Sequence, residues 1–260
     1  MPLRRIFPFA RPEPERAFID VIHGGETYRV ALRRSASARR FTLRVRAGPR
    51  DVVLTVPARA RWGEVRSFAE RHAAWVDLKL RQLPRSTPFE PGVLIPLRGE
   101  PHLVALSPLP RGKGPVMRAP PSPEGGPARL FVGGEPAFAA RRLRDFLTKE
   151  ARRDLESAVA RHAARLGVTP RRISIRDTAT RWGSCSAAGA LNFSWRLILA
   201  PPPVLDYLAA HEVAHLVHMN HSKAFWNVVA GLDPAYEEAE AWLRREGRGL
   251  LRFGVAEGAG

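Results

Sequence analysis

Hydrophobic and polar positions alternate first and turn helical later. In residues 18–56 they trade places at period two, in 28–32, 41–45 and 52–56, so the stretch reads as strands. Gly24-Gly25 and Gly48-Pro49 supply turns. From 62 to 83 the period lengthens: Val65, Phe68, Ala69, Ala73 and Val76 recur at helical spacing, and one helix is expected. Strand patterns return at 93–97, 102–107 and 129–132. The Pro/Gly-rich runs 108–114 and 120–127 are expected to be mobile loops. A long helix is expected over 135–166, where Leu143, Phe146, Leu147, Ala151, Leu155 and Val159 share one face. Strands at 172–176 and 191–197 follow, with a turn at Ala187-Ala188-Gly189 before the second. Pro201, Pro202 and Pro203 suit the first turn of a helix on which Val204, Leu205, Leu208, Ala209, Val213 and Leu216 make an apolar surface. Ser222 suits the N-cap of a short helix, and Pro234 the start of a last one over 234–246. The pattern predicts an α+β fold. It comprises an N-terminal β-rich part, 1–134, with one helix and a Pro/Gly-rich loop, a second part at 135–253 that shares one core with it or lies beside it, and a frayed tail at 254–260.

The buried helix that follows the three prolines carries His211-Glu212-Val213-Ala214-His215. Residues i and i+4 share a helix face, so His211 and His215 can offer two imidazole nitrogens to one ion. Glu212 sits between them, placed to reach a water on the metal rather than the metal. Zinc lowers the pKa of such a water to about 7, and a carboxylate can take its proton, which is the chemistry of amide hydrolysis at neutral pH. Five-residue motifs also arise by chance, and two histidines on a helix can be a plain half-buried pair. Two His and a Glu on an apolar helix need a stronger reason, because unpaired buried polar groups are costly. His218 lies on the same face as His211, but i and i+7 are about 10 Å apart on a straight helix, too far for one ion. His221 suits a third ligand if the helix ends near Met219-Asn220 and the chain turns back; Asn220 tolerates the left-handed conformation common in such turns. The alternative third ligand is a carboxylate of the last helix, Glu237, Glu238 or Glu240, which otherwise form a solvated face ahead of Arg244 and Arg245.

The flanks add to this. Thr180-Arg181-Trp182-Gly183-Ser184-Cys185-Ser186 precedes Leu191-Asn192-Phe193-Ser194-Trp195-Arg196-Leu197; Asp206-Tyr207-Leu208 leads into the motif; Asn220-His221-Ser222 and Phe225-Trp226 follow it. From about Phe138 to Gly249 this order resembles the YgjP-like metallopeptidase domain family, bacterial zincins related to the SprT-like and WLM proteases. The resemblance implies a zincin-like catalytic domain over the second part, one zinc ion per chain on His211, His215 and His221, and Glu212 as catalytic base. Zincins take an extended peptide as an added strand on a sheet edge. The candidate edge is the 191–197 strand or the Arg181–Ser186 segment beside it, so Arg181, Trp182 and Gly183 are candidate substrate-binding residues. Against that, Trp182 and Trp195 could be core aromatics, and Gly183 a residue that only permits a tight turn. Cys185 could be a fourth ligand or a redox switch, though a lone cysteine acting as a small hydrophobe is commoner. Phe225 and Trp226 are expected to pack beneath the His221 turn. Tyr207, one turn before His211, suits either an oxyanion donor or packing.

Composition bounds the rest. At 260 residues and 45% hydrophobic content the chain can bury a sizeable core. A single cysteine excludes an intramolecular disulfide framework, residues 1–10 lack the apolar core of a signal peptide, and no run approaches the about 20 apolar residues of a membrane span. A soluble, cytoplasmic protein acting on peptides or proteins is expected, with no membrane partner. The formal net charge of +17 would attract polyanions. Its arginines are nonetheless scattered from Arg4 to Arg252, as a GC-rich codon bias would leave them. Three classes of function follow: a zinc peptidase, a nucleic-acid-associated zinc protease acting on DNA-bound proteins, and a non-catalytic structural zinc module. The third has no need of Glu212.

Overall fold

A computed structural model describes residues 17–46, 50–83, 85–107, 116–123, 125–178 and 180–255. Residues 1–10, the turn at Gly48-Pro49, the run at 108–114 and the last five residues lie outside these. The chain forms two compact units, one of residues 1–45 and 51–82, the other of 46–50 and 83–260.

In the first unit, β1 (Phe18–His23), β2 (Glu26–Ser35), β3 (Thr42–Arg46) and β4 (Asp51–Pro57) form a sheet of order β1-β2-β4-β3. Gly24 and Gly25, both at positive φ, make the two-residue turn that pairs β1 antiparallel to β2. β4 buries every second residue, Val52, Leu54 and Val56, against Val65, Ala69, Ala73 and Val76. The helix expected over 62–83 is two: α1 (Trp62–Arg71) and α2 (Ala73–Arg81). The break is at His72. Its ring stacks on Phe68 and its Nδ1 bonds the Phe68 carbonyl at 2.8 Å, while its own amide turns to Ala69. The side chain thus takes the acceptor that the His72 amide would use in a continuous helix.

In the second unit, β5 (Leu94–Leu97), β6 (Glu100–Ser107), β7 (Val116–Ala119) and β8 (Ala128–Gly133) form a sheet of order β5-β6-β8-β7. β7 emerges between the two Pro/Gly runs, in a segment whose pattern marks no element. α3 (Ala139–Leu166) follows, stopped by Gly167 in the left-handed conformation. Next come β9 (Arg172–Arg176), β10 (Gly183–Cys185) and β11 (Ala190–Ser194), a sheet of order β10-β11-β9. The strand expected over 191–197 ends at Ser194, and Trp195–Leu199 is a fully buried 3-10 helix. α4 (Pro202–Ala214), α5 (Lys223–Leu232) and α6 (Tyr236–Leu250) complete the unit. α4 is apolar on nearly every side and runs through the centre, against α3, α5, α6 and β10.

The boundary expected at 134 therefore falls elsewhere. Ile95, Leu97, Leu130 and Val132 share one core with Leu143, Leu147, Leu191, Phe193, Val213 and Phe225. The buried side of the second sheet thus packs into the core of these helices, and the sheet belongs with them. The tail expected to fray at 254 is also tied down at its start: Phe253 is buried, and the Gly254 amide donates to the Thr87 carbonyl at 2.9 Å. Among the described residues no helix is long and apolar enough to cross a membrane.

Candidate metal centre

The motif sits on the last turn of α4. The helix stops at Ala214, five residues before the expected end, and His215 is its C-cap. Amides of Leu216 and Val217 fold back onto Val213 and Ala214 at 2.9 and 3.0 Å, a tight final turn that reverses the chain. The reversal uses no left-handed Asn220: among the described non-glycine residues only Arg50 and Arg98 have positive φ. Its effect is the one the sequence required. The chain returns along α4, and His221 arrives beside His211.

One ligand nitrogen from each of His211, His215 and His221 lies within 4.8 Å of the others. The Nε2 atoms of His211 and His221 are 3.2 Å apart. A tetrahedral zinc with arms of about 2.0–2.1 Å holds two nitrogens about 3.3 Å apart, so the pair is spaced for a shared ion. His215 bonds the His218 carbonyl through Nδ1 at 3.0 Å, which makes Nδ1 the protonated nitrogen and leaves the Nε2 lone pair for a metal. Burial, then the neighbouring His215 and His221, push the His211 pKa down to about 4, so that ring is held neutral, the form that ligates. Burial lowers the His215 pKa as well. His218 contributes its carbonyl and no ring nitrogen. Glu237 and Glu238 are exposed on α6, and Glu240 pairs with Arg244 at 2.8 Å; none of these acids joins the cluster.

α5 holds the third histidine. Ser222 caps it, accepting the Phe225 amide at 3.4 Å, and so fixes the chain one residue after His221. Phe225 stacks on His215 at 4.4 Å and lies 4.8 Å from His221, while Trp226 is 5.9 Å from His221. These rings wall the site as the sequence suggested. Tyr207 is buried, edge-on to His211 at 5.8 Å and stacked on Tyr236. Burial and the charges of Glu240 and Glu212 raise its pKa, which keeps the phenol protonated.

Glu212 points to β10. It is 4% exposed, and its Oε2 is buried with no hydrogen-bond partner. Burial pushes its pKa up to about 8, and the Arg181 charge pulls it down. Gly183 makes the fit: a Cβ there would stand 2.3 Å from Glu212 Oε1. Gly183 thus acts through clearance and not through a tight turn; it is the first residue of a strand. Arg181, Trp182 and Gly183 do lie together, lining a cavity of about 260 Å³. Trp182 is half-buried against Gly247 of α6, and Trp195 is core. β11 is the central strand of its sheet, so of the two candidate segments only the one that forms β10 is an edge. Cys185 on β10 stands outside the histidine cluster; its thiol donates weakly to the Ser186 carbonyl, and burial raises its pKa, as for an inert thiol. Arg176, Ser184 and Asn192, which line the same cavity, had no signal in the sequence beyond strand alternation.

Residues 39–246 match the family described as YgjP-like, metallopeptidase domain. The chain belongs to the YgjP-like metallopeptidase family. As a member it is a metallopeptidase, and the three histidines are the group among its described residues suited to the metal. No curated protein matches the sequence. Among solved structures, the crystal structure of the metallopeptidase zymogen of Pyrococcus abyssi abylysin aligns at a TM-score of 0.33 and 21% identity, covering 39% of this chain and 99% of that one.

Proposed function

We propose that the chain is a zinc-dependent peptidase of the cytoplasm that carries one zinc ion on His211, His215 and His221 and uses Glu212 as general base. The observation that carries this is the convergence of three imidazoles beside a buried, unpaired carboxylate. A bound zinc supplies Lewis acidity to a carbonyl oxygen and acidifies water to a pKa of about 7. Glu212 takes the proton of the attacking water and returns it to the leaving amine. The Arg181 charge favours the ionised Glu212 that a base requires, and a cation held by the histidines would add to this. Arg181, Trp182 and Gly183 border the substrate strand, which lies along β10.

Metal content tests the ligand set. Wild type should hold about one zinc per chain and His221→Ala much less. Full retention in the variant would move the third ligand to Cys185 or an acid of α6. Glu212→Gln should keep zinc and lose hydrolysis; cleavage that survives it would remove Glu212 from the chemistry. A second reading, a nucleic-acid-associated protease acting on DNA-bound proteins, has the net charge of +17 in its favour.

A further inference from the structure

The cavity bordered by Arg181, Trp182 and Gly183 has a composition that the hydrolytic step does not use. Gly183 pairs with Phe193, and that face of the sheet meets the core and Glu212. Ser184 pairs with Asn192, and alternation puts both side chains on the opposite face. There Arg176 Nε donates to Asn192 Oδ1 at 3.0 Å, and Asn192 Nδ2 donates to Ser184 Oγ at 3.4 Å. This relay spends the acceptors on one another. It leaves the end of the Arg176 guanidinium and the Ser184 hydroxyl proton as donors, with Arg181 beside them. Among the described residues no carboxylate lines the cavity. Asp177, next to Arg176 in sequence, is ion-paired with Arg196 instead.

The backbone of β10 says how a ligand reaches it. The Ser194 amide donates to the Trp182 carbonyl at 2.8 Å and the Ser186 amide to the Ala190 carbonyl at 3.0 Å. Hydrogen-bonded pairs alternate along an antiparallel ladder, so Gly183 and Cys185 turn their N–H and C=O to the open edge. A peptide pairing there sets every second side chain on the Ser184 face, above the cavity.

We propose that this cavity is a carboxylate subsite, taking the Asp or Glu side chain, or the free C-terminus, of a peptide laid along β10. The proposal rests on the peptidase reading above. Guanidiniums grip carboxylates through paired, charge-assisted hydrogen bonds, and no neutral side chain rewards this donor set equally.

The test uses the zinc-loaded full chain and matched peptides that carry Glu, Gln or Lys at each successive position, with a free or an amidated C-terminus. Cleavage should favour Glu over Gln by about tenfold in kcat/KM at one position, and less at the positions one residue either side. The ratio should fall to about one in Arg176→Ala and in the gentler Arg176→Gln, and stay in Arg245→Ala, whose side chain lies on α6 beside Glu246. Loss on amidation with no side-chain preference would assign the subsite to the C-terminus. Cleavage blind to charge, or an acidic preference that ignores position or survives both Arg176 variants, would overturn the subsite and leave the peptidase standing. If no peptide is cleaved, the peptidase reading fails. Binding of the same Glu and Gln peptides to wild type and Arg176→Ala, by calorimetry, then decides: a position-dependent preference lost in the variant supports the subsite, and its absence overturns it.

Discussion

Glu212 and Gly183 depend on each other. The carboxylate occupies the space that a side chain at 183 would fill, 2.3 Å from the position of its Cβ. Alanine there is a very small change in sequence, yet it must move the base. The three histidines lie on α4 and on the turn before α5, and nothing in the substitution touches them. Gly183→Ala should therefore keep zinc near one per chain and lose activity by about 100-fold, the scale of a misplacement of about 1 Å at a reacting group. Activity near wild type would mean that Glu212 adapts and that its position is not critical. The motif itself was plain in the sequence because helical spacing alone pairs His211 with His215. The partnership with Gly183 was not, since nothing local says that residue 183 faces residue 212.

Two elements tune this unit from its ends. Ser222 caps α5 one residue after His221, so loosening the helix start loosens a ligand. Ser222→Ala should cost about 0.5–1 kcal/mol in thermal or denaturant unfolding and weaken zinc binding in chelator competition. Unchanged affinity would show that the rings of Phe225 and Trp226 hold His221 unaided. In the β5–β8 sheet, His102 is fully buried, with Nδ1 on the Glu100 carbonyl at 2.7 Å and Nε2 accepting Arg118 Nε at 3.0 Å. Burial lowers its pKa, and Arg118 adds to this. The unfolded chain takes up this proton near the ordinary histidine pKa of about 6.5, and the folded chain only at lower pH. Protons then favour unfolding, so stability falls as pH drops below about 6.5. His102→Gln should flatten that slope in melts taken from pH 7 downward; an unchanged slope would assign it to other groups. The elements legible in advance were those fixed by short-range rules: the Gly24-Gly25 turn, the bounds of β9, the Ser222 cap. Those that escaped depend on distant partners. Trp195–Leu197 reads as the end of the 191–197 strand by its apolar run, but the chain coils over Trp195–Leu199 because Ser194 takes the Arg196 amide and the 98–99 turn donates to the carbonyls of Ile198 and Leu199. The break at His72 needs a ring to reach back four residues, which helical spacing does not announce.

At the scale of the molecule, the sequence misjudged the division of the chain, because strand pattern says where a sheet is and not which helices cover it. The sheet of β5–β8 and the metal helix share one core, while the first unit has another. Charge is the remaining property of the whole. A total of +17 is enough to bind DNA if it is gathered. That total already counts every carboxylate, so ion pairs do not lower it, but they occupy many of the arginines that a phosphate would meet. Arg98 bonds Glu150 and Asp154, Arg161 pairs with Asp206, and Arg152 with Glu156. Arg165 serves the carbonyls of Gly231 and Leu232, capping the end of α5. In the first unit Arg29 and Arg66 are likewise paired, with Asp20 and Glu70. An arginine engaged with a carboxylate releases few counterions on meeting a phosphate. We therefore expect only sequence-independent DNA binding, lost between about 50 and 200 mM salt with a shallow log–log slope of two or three phosphates. A slope of six or more, with cleavage of a DNA-bound protein stimulated by its DNA, would mean that a compact basic face exists and would turn the functional reading toward the nucleic-acid-associated protease.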